Sequence, residues 1–238
     1  MRIPVLPWLW TLALVPVLVL TTGCTPRSER ASAPKPVPQV PSPTPAEPGA
    51  QPSTEPPAVE AQPTADPERG IVLFTEWSSK HAAQVDPFSG FLVNENLAQV
   101  VPTYQLLRSA SMWKECHADP FEVPPAQQWE TVRDLLILLR ELRERHVLPS
   151  FEVVSAYRDP RLNRCAGGAP GSSHQKFAVD LAPLSPEQGA RLCRFWREEG
   201  RQWNMGVSRY PTGRIHIDRN GYRTWGANYK RGSSYCLG

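Results

Sequence analysis

The sequence lacks a marked excess of charge of either sign. Its 26 lysines and arginines stand against 23 aspartates and glutamates, which leaves a formal net charge of +3 over 238 residues. It also lacks a basic run or stripe, the electrostatic feature on which nucleic-acid binding depends. The composition therefore argues against nucleic acid as a partner.

Long apolar runs are equally scarce, and the only one that approaches the length of a bilayer lies at residues 3–20. Three prolines interrupt it, which argues against a membrane-spanning helix. A positive charge at Arg2, an apolar stretch and small residues before a cleavage point are instead typical of a secretory signal peptide. We therefore predict a signal peptide at residues 1–23.

The end of this segment, Thr21-Thr22-Gly23-Cys24, resembles the bacterial lipobox, although Thr21 stands where leucine is usual. The resemblance implies that Cys24 is acylated and becomes the mature N-terminus. Several acyl chains anchor a protein stably where a single chain does not. Thr25, rather than aspartate, follows the cysteine, which by resemblance to lipoprotein sorting rules implies the periplasmic inner leaflet of the outer membrane.

Residues 24–69 lack aromatic side chains altogether, and thirteen of the 27 prolines fall between Thr25 and Glu68. Such a segment buries too little apolar surface to offset its ordering entropy, so we predict a disordered tether. An extended proline-rich chain rises about 3.1 Å per residue, so the tether can span on the order of 100 Å. That reach suits a domain that works away from its membrane, and an inert spacer fits the same composition.

Cysteines are few, and none belongs to a C-x-x-C pair, which argues against structural zinc. Four of them lie in residues 70–238, where we predict one folded domain. An even number in an exported chain predicts two disulfides, for which three connectivities exist. We favour the pairs Cys116–Cys165 and Cys193–Cys236.

Helical patterns alternate with short strands in residues 70–238. The predicted helices are 94–110, bent at Pro102, then the strongly amphipathic 126–146, and one that starts with a capping box from Ser185 to Gln188. The predicted strands are 151–157, 177–181, 206–210 and 214–218. These elements indicate an α+β fold, with a small mixed or antiparallel sheet and flanking helices. Residues 70–125 could form a wall of a cleft or an accessory cap.

Polar residues with metal-binding side chains adjoin the predicted strands. Side chains alternate between the two faces of a strand, so Asp180 lies opposite its apolar neighbours, and His216 and Asp218 share one face. His174 lies in the turn before its strand and can fold back toward Asp180. Two imidazoles and one carboxylate would make a zinc site with a fourth position open for water. The alternative is a set of solvent-exposed polar faces with unrelated histidines.

Several motifs occur in a fixed order between residues 153 and 225: Ser155-x-Tyr157-Arg158, Asn163, Gly167-Gly168-Ala169-Pro170, Ser172-x-His174, Ala178-x-Asp180, Ile215-His216-Ile217-Asp218 and Arg223-x-Trp225. Together they resemble the zinc D-Ala-D-Ala carboxypeptidase family, in particular its branch of C-terminal peptidase domains. The resemblance implies the small α+β sheet shared with hedgehog-type domains. It also implies Zn²⁺ as cofactor, with His174, Asp180 and His216 as ligands.

The same resemblance implies a substrate and a reaction. The protein would hydrolyse peptidoglycan stem peptides as a D,D-carboxypeptidase or an endopeptidase. Arg158 would face the substrate and assist catalysis, with Tyr157 and Ser172 as further substrate contacts. An arginine can grip a carboxylate in two hydrogen bonds, and a peptide that ends in D-Ala presents one. We expect peptidoglycan peptides and, through the lipid, the membrane as partners of a monomeric protein.

Two departures from the family pattern concern the loop and the general base. Asp180 follows His174 by six positions where the family usually has seven, and Phe177 stands near the place of a family glycine. Gly213 stands where many relatives carry a Glu or Asp, three residues before the last ligand. Asp218 is then either the general base or a partner that orients the last imidazole.

The absence of an acid at position 213 leaves other readings open. Glu187 is a third candidate for the base, but it fits the first turn of its helix better. A catalytically inactive cell-wall-binding module of the same fold is the alternative function.

Overall fold

The structure is a computed structural model, and it describes residues 66–238. The predicted signal peptide, the acylation site at Cys24 and nearly all of the predicted tether lie outside the described residues. No helix in the described range is long and apolar enough to cross a membrane.

The packed chain starts slightly earlier than the predicted boundary at Gly70. Asp66 accepts hydrogen bonds from the backbone and the guanidinium of Arg69, which closes a short 3-10 turn. The Arg69 side chain is completely buried and donates to the carbonyl oxygens of Ser109 and Val154. A buried guanidinium with several acceptors fixes the backbone around it, so the four residues 66–69 belong to the folded part.

Between Asp66 and Gly238, four helices precede the first strand, and two further helices lie between strands. The helices of the described residues are α1 (Ile71–Lys80), α2 (Ala82–Asn94), α3 (Thr103–Leu106), α4 (Trp129–Glu144), α5 (Pro160–Cys165) and α6 (Pro186–Glu198). The strands are β1 (Val153–Ser155), β2 (Val179–Leu181), β3 (Gly206–Arg209), β4 (Ile215–Asp218) and β5 (Arg223–Trp225). They form one sheet in the order β1-β2-β4-β3-β5, antiparallel except for the pair β3–β5. The predicted α+β fold is confirmed.

The amphipathic helix is confirmed as α4, preceded by a 3-10 turn at Ala126–Gln128. The predicted apolar face is buried, at Val132, Leu135, Leu136, Leu139 and Leu142. The helix ends before His146, whose φ of +56° a right-handed helix cannot contain. This helix supplies one side of the core against which the sheet packs.

The helix predicted at residues 94–110 is wrong in its position. The chain is helical before this segment, in α1 and α2, and α2 ends at Asn94. Asn96 then adopts a left-handed φ of +56°, and only α3 is helical after Pro102. Trp77, Phe88 and other side chains of α1 and α2 lie in the same core cluster as the sheet, so residues 70–125 contribute to the main core.

Both predicted disulfides are confirmed. Cys116 is joined to Cys165 at the end of α5, and Cys193 of α6 is joined to Cys236. The capping box at Ser185 is confirmed too, because the Ser185 hydroxyl accepts from the Gln188 backbone while the Gln188 side chain accepts from the Ser185 backbone. These contacts fix the helices that surround the sheet.

Candidate metal centre and active site

The sheet register brings the predicted ligands together. Asp180 of β2 and His216 of β4 are direct partners across adjacent antiparallel strands, so their side chains share one face. His216 Nδ1 lies 3.0 Å from Asp180 Oδ1. His174, in the 3-10 turn before β2, places its Nε2 3.1 Å from the same oxygen. The three ligand atoms all lie within 4.8 Å of one another.

Each histidine has its second ring nitrogen committed to another partner. His174 Nδ1 lies 2.6 Å from the carbonyl oxygen of Ala156, so it donates there and leaves Nε2 unprotonated for a metal. His216 Nε2 lies 2.7 Å from Asp218 Oδ2, which leaves Nδ1. The two nitrogens left over are those that face Asp180. Partners of this kind set the tautomer and the ring orientation of metal-binding histidines.

The donor set fits zinc. Two imidazole nitrogens and one carboxylate oxygen are the ligands of many catalytic zinc sites. Zinc bonds of about 2.0–2.2 Å in a tetrahedral arrangement place neighbouring ligand atoms about 3.3 Å apart. The 3.0 and 3.1 Å separations are close to that value. Within residues 66–238, no other group of three His, Cys, Asp or Glu side chains converges in this way.

Charges at the centre suit cation binding. Burial acts to raise the pKa of Asp180, but His174, His216 and Arg158 outweigh it and hold this pKa well below its usual range. Burial lowers the pKa of His174. Asp180 is therefore an anion and His174 a neutral imidazole at neutral pH, the forms in which both side chains bind a metal.

The shortened loop between His174 and Asp180 is accommodated by the backbone of Phe177. Its φ is +85°, a conformation rare for a bulky residue. The Phe177 ring is fully buried in the main core, so its packing offsets the backbone strain. The loss of one residue therefore leaves the ligand geometry intact.

Asp218 lies behind His216, at the ring nitrogen away from the other ligands. It is fully buried, and its Oδ1 accepts from the Asn220 backbone at 2.8 Å and from Arg223 Nη1 at 2.9 Å. Burial acts to raise the pKa of Asp218, but its hydrogen bonds with His216 and Arg223 hold this pKa far below its usual range. Burial acts to lower the pKa of His216, but Asp180 and Asp218 outweigh it and raise this pKa above its ordinary value. The geometry supports the orienting role of Asp218 over the role of general base.

Gly206 is required by this arrangement, and sequence reasoning missed it. A Cβ at Gly206 would lie 2.7 Å from Asp218 Oδ1 and 2.8 Å from Arg223 Nη1. Strand β3 therefore has to begin with glycine, because a larger residue would separate the Asp218 carboxylate from the Arg223 guanidinium. Trp225, two residues beyond Arg223, packs against the His216 ring at a centroid distance of 5.2 Å.

The ligands lie at one side of a cleft of about 700 Å³. Its lining consists of Arg158, residues 166–174, Asp180, Tyr210, His216, residues 223–225, Tyr229 and Arg231. Ser172, a predicted substrate contact, is part of this lining. Gly168 fits there because a Cβ would overlap the buried Asn163 amide. Within the described part of the chain, the only carboxylate that lines the cleft is Asp180.

Arg158 lies beside the ligands. Its Nη2 donates to Asp180 Oδ2 at 2.8 Å and to Ser155 Oγ at 2.9 Å. Its Nη1 makes no hydrogen bond with any residue from 66 to 238. Arg158 therefore orients the Asp180 carboxylate and keeps one nitrogen for a ligand in the cleft.

Two predicted residues lie elsewhere. Tyr157 is 7% exposed and lines a separate cavity of about 740 Å³ beside Glu122, not the metal cleft. Successive side chains of an extended chain point to opposite sides, and Arg158 takes the side of the metal cleft. The predicted substrate contact of Tyr157 is corrected on that ground. Glu187 is exposed in the first turn of α6 and does not line the cleft.

Tyr210 is a site residue that sequence reasoning missed. Its hydroxyl lies 3.3 Å from His216 Nδ1. Burial raises the pKa of Tyr210, and Asp180 raises it further. The signal was the strand period: Ser208 pairs with His216, and a residue two positions later returns to the same face.

Residues 105–218 match a family model described as peptidase M15. No curated protein and no solved structure matches the chain. The matched segment contains His174, Asp180 and His216 and ends at Asp218. This match is consistent with the resemblance to a zinc D-Ala-D-Ala carboxypeptidase-like family, and residues 105–218 are similar to the peptidase M15 family.

Proposed function

We propose that this protein is a zinc-dependent peptidase that hydrolyses peptidoglycan stem peptides, as a D,D-carboxypeptidase or an endopeptidase. The observation that carries the proposal is the convergence of His174, Asp180 and His216 in the wall of an open cleft. Both histidines are held in the tautomer that a metal requires. The family match over residues 105–218 supports peptidase activity.

When bound, zinc supplies a Lewis acid for the scissile carbonyl and activates water for attack. The described residues hold the ligand side chains in position. Asp218 and the Ala156 carbonyl hold the two imidazoles, and Arg158 holds the Asp180 carboxylate. Preorganised ligands of this kind need no rearrangement when the metal and the substrate arrive.

Arg158 also offers the positive charge that a stem peptide needs. Its Nη1 is directed to no residue of the described chain, whereas Nη2 is held by Asp180 and Ser155. It would therefore bind a substrate carboxylate through one nitrogen and not through the full fork. Arg223 is not available for that role because Asp218 and Ser173 already bind it.

The sequence of the N-terminal segment supports a proposed location for this activity. A lipid on Cys24 would hold the protein at the periplasmic face of the outer membrane. A proline-rich tether of residues 24 to about 65 would let the domain reach the cell wall, at about 3.1 Å per residue. Both disulfides of the domain fit an oxidising compartment.

Digestion of muropeptides tests the proposal. The full mature protein, loaded with zinc, is incubated with cross-linked and uncross-linked muropeptides, and the products are identified by mass spectrometry. We expect cleavage by the wild type, and we expect H216A to lose both zinc and activity. A zinc-loaded wild type that cuts no peptide bond would refute the peptidase.

One observation favours a second function, a module that binds stem peptides without cleaving them. Among the described residues, Asp180 is the only carboxylate that lines the cleft, and it is one of the three candidate metal ligands. Retention of the zinc-loaded protein on isolated sacculi, without release of peptide fragments, would identify this function. Measurable turnover would exclude it.

A further inference from the structure

The hydroxyl group of Tyr210 is the only phenol or alcohol that contacts the predicted ligand atoms within the described residues. It lies 3.3 Å from His216 Nδ1, and the ring stands at 81° to the imidazole. A tight turn holds it there, since Tyr210 exchanges backbone hydrogen bonds with Arg214 and Gly213 at 2.9 Å. The position is therefore set by the β3–β4 hairpin.

The other hydroxyl groups of the cleft are engaged or exposed. Ser173 accepts from Arg223, and Thr224 is paired with the buried Ser234. Ser172 caps the turn that carries His174. Tyr229 is 74% exposed. Among these groups, only Tyr210 is placed to meet a group bound at the ligand cluster.

Metal binding would change what the Tyr210 hydroxyl can donate to. Beside Asp180, its neighbour at 3.3 Å is His216 Nδ1, the nitrogen whose lone pair a metal would take. That lone pair cannot accept a hydrogen bond and bind a cation at once. The hydroxyl hydrogen is then free for another acceptor beside the ligand cluster, where the carbonyl oxygen of a substrate has to lie for activation.

We propose that the Tyr210 hydroxyl is a catalytic hydrogen-bond donor to the oxygen of the scissile carbonyl; this inference rests on the proposed peptidase function. Hydrolysis adds water across the C–N bond, with OH going to the carbonyl carbon and H to the leaving amine. Negative charge accumulates on the carbonyl oxygen on the way. Tyr210 stabilises that charge and keeps its own O–H bond throughout, so the role requires no change of its protonation.

Tyr210→Phe removes the hydroxyl and keeps the ring. Tyr104→Phe is the matched control, because it also removes a hydroxyl group that accepts a hydrogen bond, but this tyrosine lies outside the lining of the cleft. For Y210F we expect kcat on muropeptides to fall by roughly 10²–10³, the usual cost of removing one donor to an oxyanion, with KM changed less than about threefold. Zinc content and melting temperature should match those of the wild type.

A second measurement does not depend on turnover. A phosphinate analogue of D-Ala-D-Ala carries a tetrahedral anionic centre in place of the scissile carbonyl. Its affinity for the zinc-loaded protein, by isothermal titration calorimetry, should fall by a similar factor in Y210F and stay unchanged in Y104F. The affinity of the uncleaved substrate in either variant should stay close to that of the wild type.

The outcomes separate this inference from the proposed function. A wild type that hydrolyses muropeptides beside a Y210F variant within about threefold of its kcat would overturn the role of Tyr210 alone. Loss of zinc from Y210F would mean that Tyr210 holds the ligand set, which would also overturn it. If the wild type cleaves nothing, the phosphinate titration decides, and equal affinities in wild type and Y210F refute the inference.

Discussion

The strained backbone of Phe177 leads to a prediction that reverses a common order of stability. At most positions in a helix or strand, a protein with glycine is less stable than the same protein with alanine, by about 0.5–1 kcal/mol. Phe177 has a φ of +85°, which glycine adopts freely and alanine does not. Phe177→Gly should therefore be more stable than Phe177→Ala, by about 1 kcal/mol.

Both variants lose the buried ring, which makes the total effect large. Truncation of a fully buried phenylalanine to alanine costs about 3–5 kcal/mol. The Ala variant loses this much free energy of unfolding and keeps the backbone strain. The Gly variant loses a similar amount with the ring but relieves the strain, so its net loss is about 1 kcal/mol smaller.

Denaturation in urea with EDTA present measures the free energy of unfolding without a contribution from bound metal. Phe88 is the matched control, since it is also fully buried but lies in α2. There, Ala should be more stable than Gly by about 1 kcal/mol. If alanine is the more stable replacement at both positions, the strain assigned to Phe177 does not exist.

The remaining predictions concern the support of the metal centre and a buried acid. Gly206→Ala should displace the Arg223–Asp218 pair and weaken zinc affinity by roughly 10–100-fold, as measured by competition with a chelator. Gly232→Ala is the control, because Gly232 has open space around it, and its zinc affinity should match that of the wild type. Equal zinc affinities in the two variants would refute the role of this pair. Burial raises the pKa of Glu122 to about 7 from its ordinary value of 4.5. The folded state therefore keeps the Glu122 proton up to a higher pH than the unfolded state does. The free energy of unfolding should fall as the pH rises from 4.5 to 7, by at most about 3 kcal/mol, and by less where solvent screens the charge. Glu122→Gln should flatten this part of the pH profile in thermal melts, and an unchanged slope would contradict the assignment.

The strands and the site could be predicted because both depend on the alternation of side chains between the two faces of a strand, which repeats every two residues. Alternation along β2 and β4 sends the apolar residues into the core and Asp180 and His216 to the other face, as the structure shows. The amphipathic period of α4 and the capping box of α6 are equally local signals. Each can be read from a short window of sequence without knowledge of the rest of the fold.

The errors have non-local causes. The pattern at residues 94–110 predicts one helix, but a left-handed Asn96 and Pro102 divide it. Helices α1 and α2 carry weak apolar periodicity, and they are held by packing of Trp77 and Phe88 against distant aromatic rings. Tertiary contacts of this kind override local propensity and leave little trace in the sequence.

The positive φ of Phe177 was also beyond the reach of sequence analysis, but it explains how a shorter loop can keep the site. Between His174 and Asp180 the chain must reverse direction in fewer residues than the family usually spends. Phe177, with its positive φ, makes this turn, and the burial of its ring stabilises the strained backbone. The ligand face is preserved because Asp180 keeps its register with His216, and a slip by one residue would turn Asp180 into the core. The same alternation therefore specifies both the core and the metal centre, so a shift of strand register would disrupt both.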